Sequence, residues 1–553
     1  ENPYLLCDPD VGVDFAEADE IFMKHGKADD VRRLKAGIKF VLVHNLDNGH
    51  TCLPAERLLP AAAGILGESD AMPEALEELV ELHELEEYYR NDRRFIYLPD
   101  LYEAETAAAG RLRMMLHDLC EDSDAALNRS IELLEDELGI EYDSLQKKAL
   151  REAVRNHVFV LTGGPGTGKT TTLNALIRLL EQQGDTVMLA APTGRAAKRL
   201  TELTGKDAKT IHRLLEVDYT SDEMHPVFRK NEKNPLKCNT LIVDEMSMVD
   251  SVLFDSLLRA LSFSCRLIMV GDSDQLPSVG AGNVLHDLLS SDILPSVTLT
   301  TIFRQAAESM IVTSAHDIVN GEYPYLECKD NDFFFMPRGS EAECAATVCQ
   351  LCEKRLPKAY DLSPMWDIQV LCPGKRGEAG TWGLNIALQK ALNPPAKGKK
   401  EHTQNGRLFR EGDKVMQVRN NYDMVWKKDD GEMGQGIFNG DIGIIERMDP
   451  ALRMMAIRFD DRVADYPYDS LGELDHAYAI TVHKSQGNEF EAVIIPLMDV
   501  SSRLCYRNLL YTAVTRAKKL LIIVGDARAV YTMVDNNRRT GRFTNLRYML
   551  EEK

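Results

Sequence analysis

The segment GGPGTGKTT at 163–171 constrains the fold more than any other stretch of the chain. It fits the phosphate-loop spacing G-x4-G-K-[ST] through Gly163, Gly168, Lys169 and Thr170. A backbone that closes around phosphate oxygens needs glycines, which take positive φ without steric cost. It also needs a strand that ends at the loop and a helix that starts from it, because the helix N-terminus adds positive potential. Both flanks have the required pattern. HVFVL (157–161) is a short apolar run, and TTLNALIRLLEQQ (171–183) is an amphipathic helix stopped by Gly184. The loop predicts that Gly164, Pro165, Gly166, Thr167, Gly168, Lys169, Thr170 and Thr171 surround a nucleoside triphosphate, ATP. Lys169 then reaches the β- and γ-phosphates, and the Thr170 hydroxyl binds Mg²⁺.

A phosphate loop needs a carboxylate at a neighbouring strand end. TLIVD (240–244) and the following Glu245 supply two. Asp244 joins Thr170 in the metal shell, and Glu245 polarises the attacking water. TVMLA (186–190) and RLIMV (266–270) have the same β-branched, fully apolar texture, which marks buried parallel strands. Gln275 follows the last of these and is placed to sense the γ-phosphate beside the water. The fold class is therefore α/β. A second strand set, at 368–372, 492–497 and 519–525, predicts a second α/β unit.

Two insertions interrupt this pattern. Residues 396–474 follow a Pro/Lys linker and read as short strands joined by Gly/Asp turns, a small β-barrel inserted into the second unit. Residues 216–238 are polar. Residues 1–125 read as mostly helical, and MPEALEELVELHELEEYYR (72–90) has helix formers throughout, with a Pro near its start. The run Cys344, Cys349 and Cys352 allows an iron–sulfur reading, but the spacing and the lack of a fourth ligand favour thiols packed inside a helix.

Charge sharpens the reading. The 553 residues carry a net charge of −22, which alone argues against a nucleic-acid partner. The excess is local. Residues 1–150 hold 34 acidic against 15 basic side chains, whereas the final 53 residues hold 11 basic against 4 acidic. Residues 151–553 taken together are nearly balanced, 50 basic against 53 acidic, and a basic groove can form there. With 44% hydrophobic and 27% charged residues, the composition excludes a disordered, collagenous or coiled-coil chain. No run of 18 apolar residues is present, so no membrane partner is expected. Eleven scattered cysteines fit reduced thiols and a cytoplasmic location. The chain opens Glu1-Asn2-Pro3 without an initiator Met, as a fragment would.

At this point the sequence resembles superfamily 1 helicases of the RecD-like branch, through motifs that occur in order. SLQKKAL (144–150) carries Gln146, APTGRAAKRL (191–200) resembles motif Ia, and KTIHRLL (209–215) the segment after it. LIVDEMSMVD (241–250) resembles motif II, and GDSDQLPSVGAGNVL (271–285) motif III. LTTIFRQ (299–305) holds Arg304 of motif IV, HAYAITVHKSQGNEFEAV (476–493) resembles motif V, and YTAVTRAKK (511–519) holds Arg516 of motif VI.

The resemblance implies two RecA-like P-loop lobes with a helical N-terminal domain and an inserted SH3-like β-barrel. Its domain division is 1–125, helical with a partial helix-hairpin-helix; 126–300, lobe 1A with a 1B hairpin at about 216–238; 301–395 and 475–553, lobe 2A; and 396–474, the 2B barrel. Gln146 reads adenine, Gly487 and Glu489 line the nucleotide, and Arg304 and Arg516 reach the γ-phosphate from the second lobe. Pro192, Thr193, Arg195, His212, Thr481 and His483 fall on the DNA-binding face, although a lone His such as His212 fits a structural role equally. The 1B hairpin reads either as a wedge or as a solvated loop. In the segment 10–22, which resembles half of a helix-hairpin-helix, the turn Gly12-Val13-Asp14 puts a negative charge where DNA would sit.

The resemblance implies an ATP-dependent 5′→3′ DNA helicase acting on single-stranded DNA and on single-strand/duplex junctions, in DNA repair and recombination. Other repair proteins are further partners, and no oligomer is implied. Two alternatives stand beside it. One is the helicase subunit of a recombination helicase–nuclease complex. The other is a non-catalytic, ATP-switched nucleic-acid clamp, which the combination of Glu245, Gln275 and two arginines disfavours.

Overall fold

A computed structural model describes the protein except at residues 1, 8–10, 12, 25, 117–123, 219–226, 329, 499, 538–540 and 553. Gly12 of the N-terminal turn and the tip of the 216–238 insertion lie outside the described residues.

The phosphate loop leaves a six-stranded parallel sheet. Its strand order is Ser296–Leu299, Val158–Gly163, Arg266–Gly271, Thr240–Val243, Val187–Ala191 and Ala208–Thr210. The three central strands are buried at every position. That is why they read as unbroken apolar runs and not as alternating ones. Alternate side chains feed two cores. Phe159 and Leu161 pack with the helices Ser144–Arg155 and Lys169–Gln182 on one face. Val158 and Val160 join Phe254, Leu257 and Leu112 on the other.

A second, five-stranded parallel sheet follows the order Phe333–Pro337, Ala517–Gly525, Phe490–Leu497, Ile368–Cys372 and Ala479–Thr481. It is also covered on both faces. Val493, Ile495, Leu521 and Ile523 enter one core, and Ala492, Ile494, Leu520 and Ile522 enter the other. Cys344 and Cys352 are buried in this second core, and the Cys344 thiol donates to the Val524 carbonyl at 3.3 Å. Between Ile368–Cys372 and Ala479–Thr481, the chain builds a seven-stranded antiparallel sheet curled around Phe409, Ile445, Ile457, Phe459 and Tyr466.

The N-terminal region is not wholly helical. The expected helix over 72–90 stops at Glu81, and Glu86–Arg90 pairs instead with Arg93–Tyr97. Asn91 and Asp92 both take positive φ, 50° and 60°, the geometry of a tight two-residue hairpin turn. Leu85 is fully buried ahead of that turn. Burial of the aromatic strand residues therefore overrides the helical propensity of the glutamates.

The C-terminal segment returns from the second sheet to the first. Helix Ala527–Asp535 belongs to the second unit, whereas Leu546–Glu551 packs on Pro99–Leu116 beside the first. At this crossing, Glu105 is fully buried and accepts hydrogen bonds from Thr51 Oγ1 (2.8 Å), Tyr97 Oη (2.9 Å) and the Asn545 N–H (3.0 Å). Burial, reinforced by Asp287, pushes its carboxyl up to about 7 from an ordinary 4.5. The folded state thus holds this proton more tightly than the unfolded chain does. The wild type should lose stability as pH rises from 4.5 to about 7, on the order of 3 kcal/mol in total. Thermal melts of Glu105→Gln across that window should lack this loss. Parallel pH profiles for the two proteins would contradict it.

Candidate active site

The ends of the first sheet converge on a cavity of about 310 Å³ that the second sheet closes. The loop Gly164–Thr170 forms its floor. Gly166 and Gly168 both hold positive φ, 73° and 80°, as the loop geometry requires. A Cβ on Gly166 would fall 2.7 Å from the Ala306 methyl, and one on Gly168 would fall 2.6 Å from Gln146 Nε2 and from the Phe303 ring. Any side chain at either position would therefore push the 302–307 segment off the loop. The Lys169 ammonium donates to the Gly163 carbonyl, and so lies across the loop it belongs to.

Asp244 and Glu245 enter from the end of Thr240–Val243. Burial, with the Glu245 carboxylate beside it, pushes the Asp244 carboxyl up to about 6. The Glu245 N–H donates to Asp244 Oδ1 at 2.8 Å, and Glu245 itself takes a positive φ of 54°. Gln275 donates through Nε2 to Asp272 at 3.3 Å. Its buried Oε1 accepts no hydrogen bond among the described residues.

From the second unit come Glu489, Thr515 and Arg516. Arg516 is buried, with its guanidinium held by the Thr512 and Asn488 carbonyls and the Thr515 hydroxyl, each at 3.2 Å. Glu489 pairs with Arg199 of the first unit at 2.7 Å.

Most of the expected nucleotide residues therefore meet in one cavity, and four do not line it. Gln146 is buried beneath the loop, donating to Thr172 Oγ1 at 3.1 Å. Thr171 opens onto a separate cleft beside Asn174. Gly487 lines the neighbouring cleft with Arg195 and Lys414, and lies against the Thr193 hydroxyl. Arg304 is exposed at the start of the short helix Arg304–Ala307, next to the loop but outside the cavity.

The residues expected to meet DNA fall into three places. Thr193 caps the helix Gly194–Thr204, and Arg195 approaches Asn488 Oδ1 at 3.5 Å, so both face the second unit beside Pro192. His212 sits apart at the base of the 216–238 insertion, 5.9 Å from the Phe228 ring, and burial lowers its basicity. Thr481 lines a groove of about 590 Å³ between the second unit and the barrel. The basicity of His483, two residues on, is lowered by burial and by Arg542.

Sequence reasoning missed the contacts that join the two units. Tyr511 Oη donates to Asp272 at 2.6 Å, and the Leu276 N–H donates to Thr512 Oγ1 at 2.9 Å. The side-chain amides of Asn508 and Gln486 donate to the Asp274 and Leu276 carbonyls at 2.7 and 2.8 Å. All these residues except Asn508 lie inside motifs the sequence displays, but their partners across the cleft do not follow from spacing. Arg542 carried no signal at all. It donates to Ser278 Oγ and to the carbonyls of Ser278, Gly280 and Gly282, at 2.6–3.1 Å.

Similarity to known proteins follows the same layout. Residues 1–52 match the HHH domain of ATP-dependent RecD2 DNA helicases, and 146–281 match an AAA domain. Residues 384–459 match the SH3 domain of ATP-dependent RecD-like DNA helicases, and 476–524 the C-terminal domain of UvrD-like helicases. The ATP-dependent RecD2 DNA helicase of Deinococcus radiodurans is 34% identical over 538 residues, which cover 94% of this chain and 69% of that protein.

The chain belongs to the RecD-like family of ATP-dependent DNA helicases. The RecBCD enzyme subunit RecD of Mycobacterium tuberculosis is 31% identical over 442 residues, 73% of each chain. A Pif1 helicase from Bacteroides, solved with ADP-AlF3 and single-stranded DNA, matches 71% of this chain and 94% of its own at 22% identity, with a TM-score of 0.42. This RecD-like chain is an ATP-hydrolysing DNA helicase and binds nucleotide. Among its described residues no helix is long and apolar enough to cross a membrane.

Removing the Arg542 guanidinium would take its hydrogen bonds from the Ser278, Gly280 and Gly282 carbonyls of the motif III loop, each worth about 0.5–1.5 kcal/mol. Hydrogen exchange of Arg542→Ala should show faster exchange across 276–283 with unchanged protection of 163–170. Unchanged exchange in 276–283 would contradict the clasp.

Proposed function

We propose that this helicase moves 5′→3′ along single-stranded DNA and splits duplex ahead of it, using one ATP cleft between two lobes. The observation that carries the reading is the composition of the 310 Å³ cavity. Phosphate-loop, carboxylate and amide groups come from the first sheet, and a buried guanidinium from the second. Lys169 and the loop N–H groups hold the β- and γ-phosphates. Glu245 takes the proton of the attacking water, and the free Oε1 of Gln275 orients that water. Arg516 neutralises charge spreading over the γ-phosphoryl oxygens, and Arg304 joins it from its exposed position when the cleft closes. Gln146 sets the loop from below and reads the adenine, while Glu489, Gly487 and Thr171 border the nucleotide.

Thr170 and Asp244 line the same cavity, and their hydroxyl and carboxylate oxygens suit a hard divalent cation. Thr170 and Asp244 would hold Mg²⁺, which would supply neutralisation of phosphate charge. Pro192, Thr193, Arg195, His212, Thr481 and His483 hold the strand by its backbone, in the sequence-independent mode of hydroxyl, imidazole and guanidinium contacts.

The RecD relatives, subunits of the RecBCD enzyme, favour a second reading in which the chain works with partner subunits. Unwinding by the isolated monomer counts against it.

Strand displacement with ATP and Mg²⁺ on duplexes tailed at one end tests polarity. A 5′-tailed duplex should be unwound, and a 3′-tailed one should not. Lys169→Ala and Arg516→Ala should each lower DNA-stimulated ATP hydrolysis by about 10³-fold or more. Unwinding of the 3′-tailed duplex alone, or full activity in either variant, would contradict the proposal.

A further inference from the structure

We propose that Trp382 is a base-stacking residue for single-stranded DNA in the groove between the second lobe and the barrel. The inference rests on the strand path proposed above, which passes Thr481, and adds to it a contact of different chemistry.

Trp382 and Ile386 lie one turn apart on the helix Thr381–Leu392 and are 58% and 72% exposed. The opposite face of this helix is spent on the core, where Leu384 and Leu388 are fully buried. The helix cannot rotate to hide the Trp–Ile pair. Asn385 exchanges hydrogen bonds with both the Ala479 carbonyl (2.8 Å) and the Ala479 N–H (2.9 Å). Gln389, a turn further on, donates to the Leu408 carbonyl at 2.9 Å and to Asp413 at 2.6 Å. The Trp382 N–H donates to the Lys375 carbonyl at 3.1 Å, fixing the start of the helix. An aromatic side chain and its aliphatic neighbour, each more than half exposed, are thus held on the wall of a 590 Å³ groove.

The charge of the groove selects the occupant. Lys375, Arg407 and Lys484 line it, against one lining carboxylate, Asp475; Asp413 is fully buried behind Gln389 and His476. Asp475 is shared by Arg407 at 2.5 Å and Lys484 at 3.0 Å, and Lys375 has no ion-pair partner among the described residues. An excess of positive charge beside a rigid, exposed indole matches an unpaired nucleotide. Its phosphate meets the cations while its base lies on the ring. The groove also contains Thr481, so it continues the proposed path and needs no separate site. Stacking on an aromatic face does not discriminate among bases, as a translocating helicase requires.

The test uses the full chain and a fluorescently labelled oligothymidylate. Trp382→Ala should weaken binding about tenfold, within the range of one lost base–aromatic stack. Trp382→Phe should restore most of the affinity, because a smaller ring still offers a face. Tryptophan emission of the wild type should be quenched by the oligonucleotide, and most of that quenching should vanish in Trp382→Phe, although Trp366 and Trp426 remain. Both variants should melt as the wild type does, since the ring is exposed. Wild-type affinity in Trp382→Ala, or equal weakening in Trp382→Phe and Trp382→Ala, overturns the inference and leaves the strand path standing. A wild type that binds no single-stranded DNA overturns both.

Discussion

A hydroxyl–carboxylate contact across the cleft, Tyr511 to Asp272 at 2.6 Å, ties the two lobes at the point where chemistry has to become motion. Asp272 directly follows the strand Arg266–Gly271, in the loop that carries Gln275, and Tyr511 opens the segment that ends in Arg516. Both groups are buried, and the phenol is held well above its ordinary range by burial and by that carboxylate. Around it, Asn508, Thr512 and Gln486 bond to the same loop. A displacement at Gln275 is therefore felt by the helix Arg507–Val514, and a displacement of Arg516 is felt by the loop. Packed and hydrogen-bonded interfaces of this kind switch between discrete arrangements more readily than they deform continuously.

The same loop is held from a third side. Arg542 reaches it from the segment that crosses back from the second lobe, and Gly49 of the N-terminal region accepts the Gly282 N–H at 3.0 Å. The N-terminal region, the C-terminal crossing and both lobes thus meet at residues 272–282. The buried Glu105 network with Thr51, Tyr97 and Asn545 anchors the crossing a short distance away. This arrangement gives the acidic N-terminal third a mechanical connection to the ATP cleft that its composition did not disclose.

What could be read from the amino-acid order was whatever local physics dictates. The phosphate loop demanded its strand and helix, and the buried parallel strands showed themselves as apolar runs because both their faces are covered. The inserted barrel showed itself as short strands joined by Gly/Asp turns, and the family resemblance added its SH3-like character. Three things stayed hidden because they depend on contacts distant in sequence. Residues 86–90 became a strand because Leu85 and the aromatic pairs found burial, against the propensity of a glutamate-rich segment. Arg542 lies more than 250 residues from the loop it clasps. The exposure of Trp382 follows from which face of its helix the core uses, and periodicity alone does not settle that. Motif order located Arg516 and Arg304 equally well, yet only Arg516 is buried against the cleft, whereas Arg304 is exposed outside the cavity.

In the mechanism proposed above, the Arg516 guanidinium of the second lobe grips a triphosphate held by the first and so draws the lobes together. The most direct measurement is single-molecule energy transfer between dyes placed through unnatural amino acids at exposed Gln182 and Lys354, one on each lobe. With a non-hydrolysable ATP analogue and Mg²⁺, the wild type should shift to a new transfer efficiency, and Arg516→Ala should bind the analogue without that shift. An equal shift in both proteins, or none in an analogue-saturated wild type, would contradict the account.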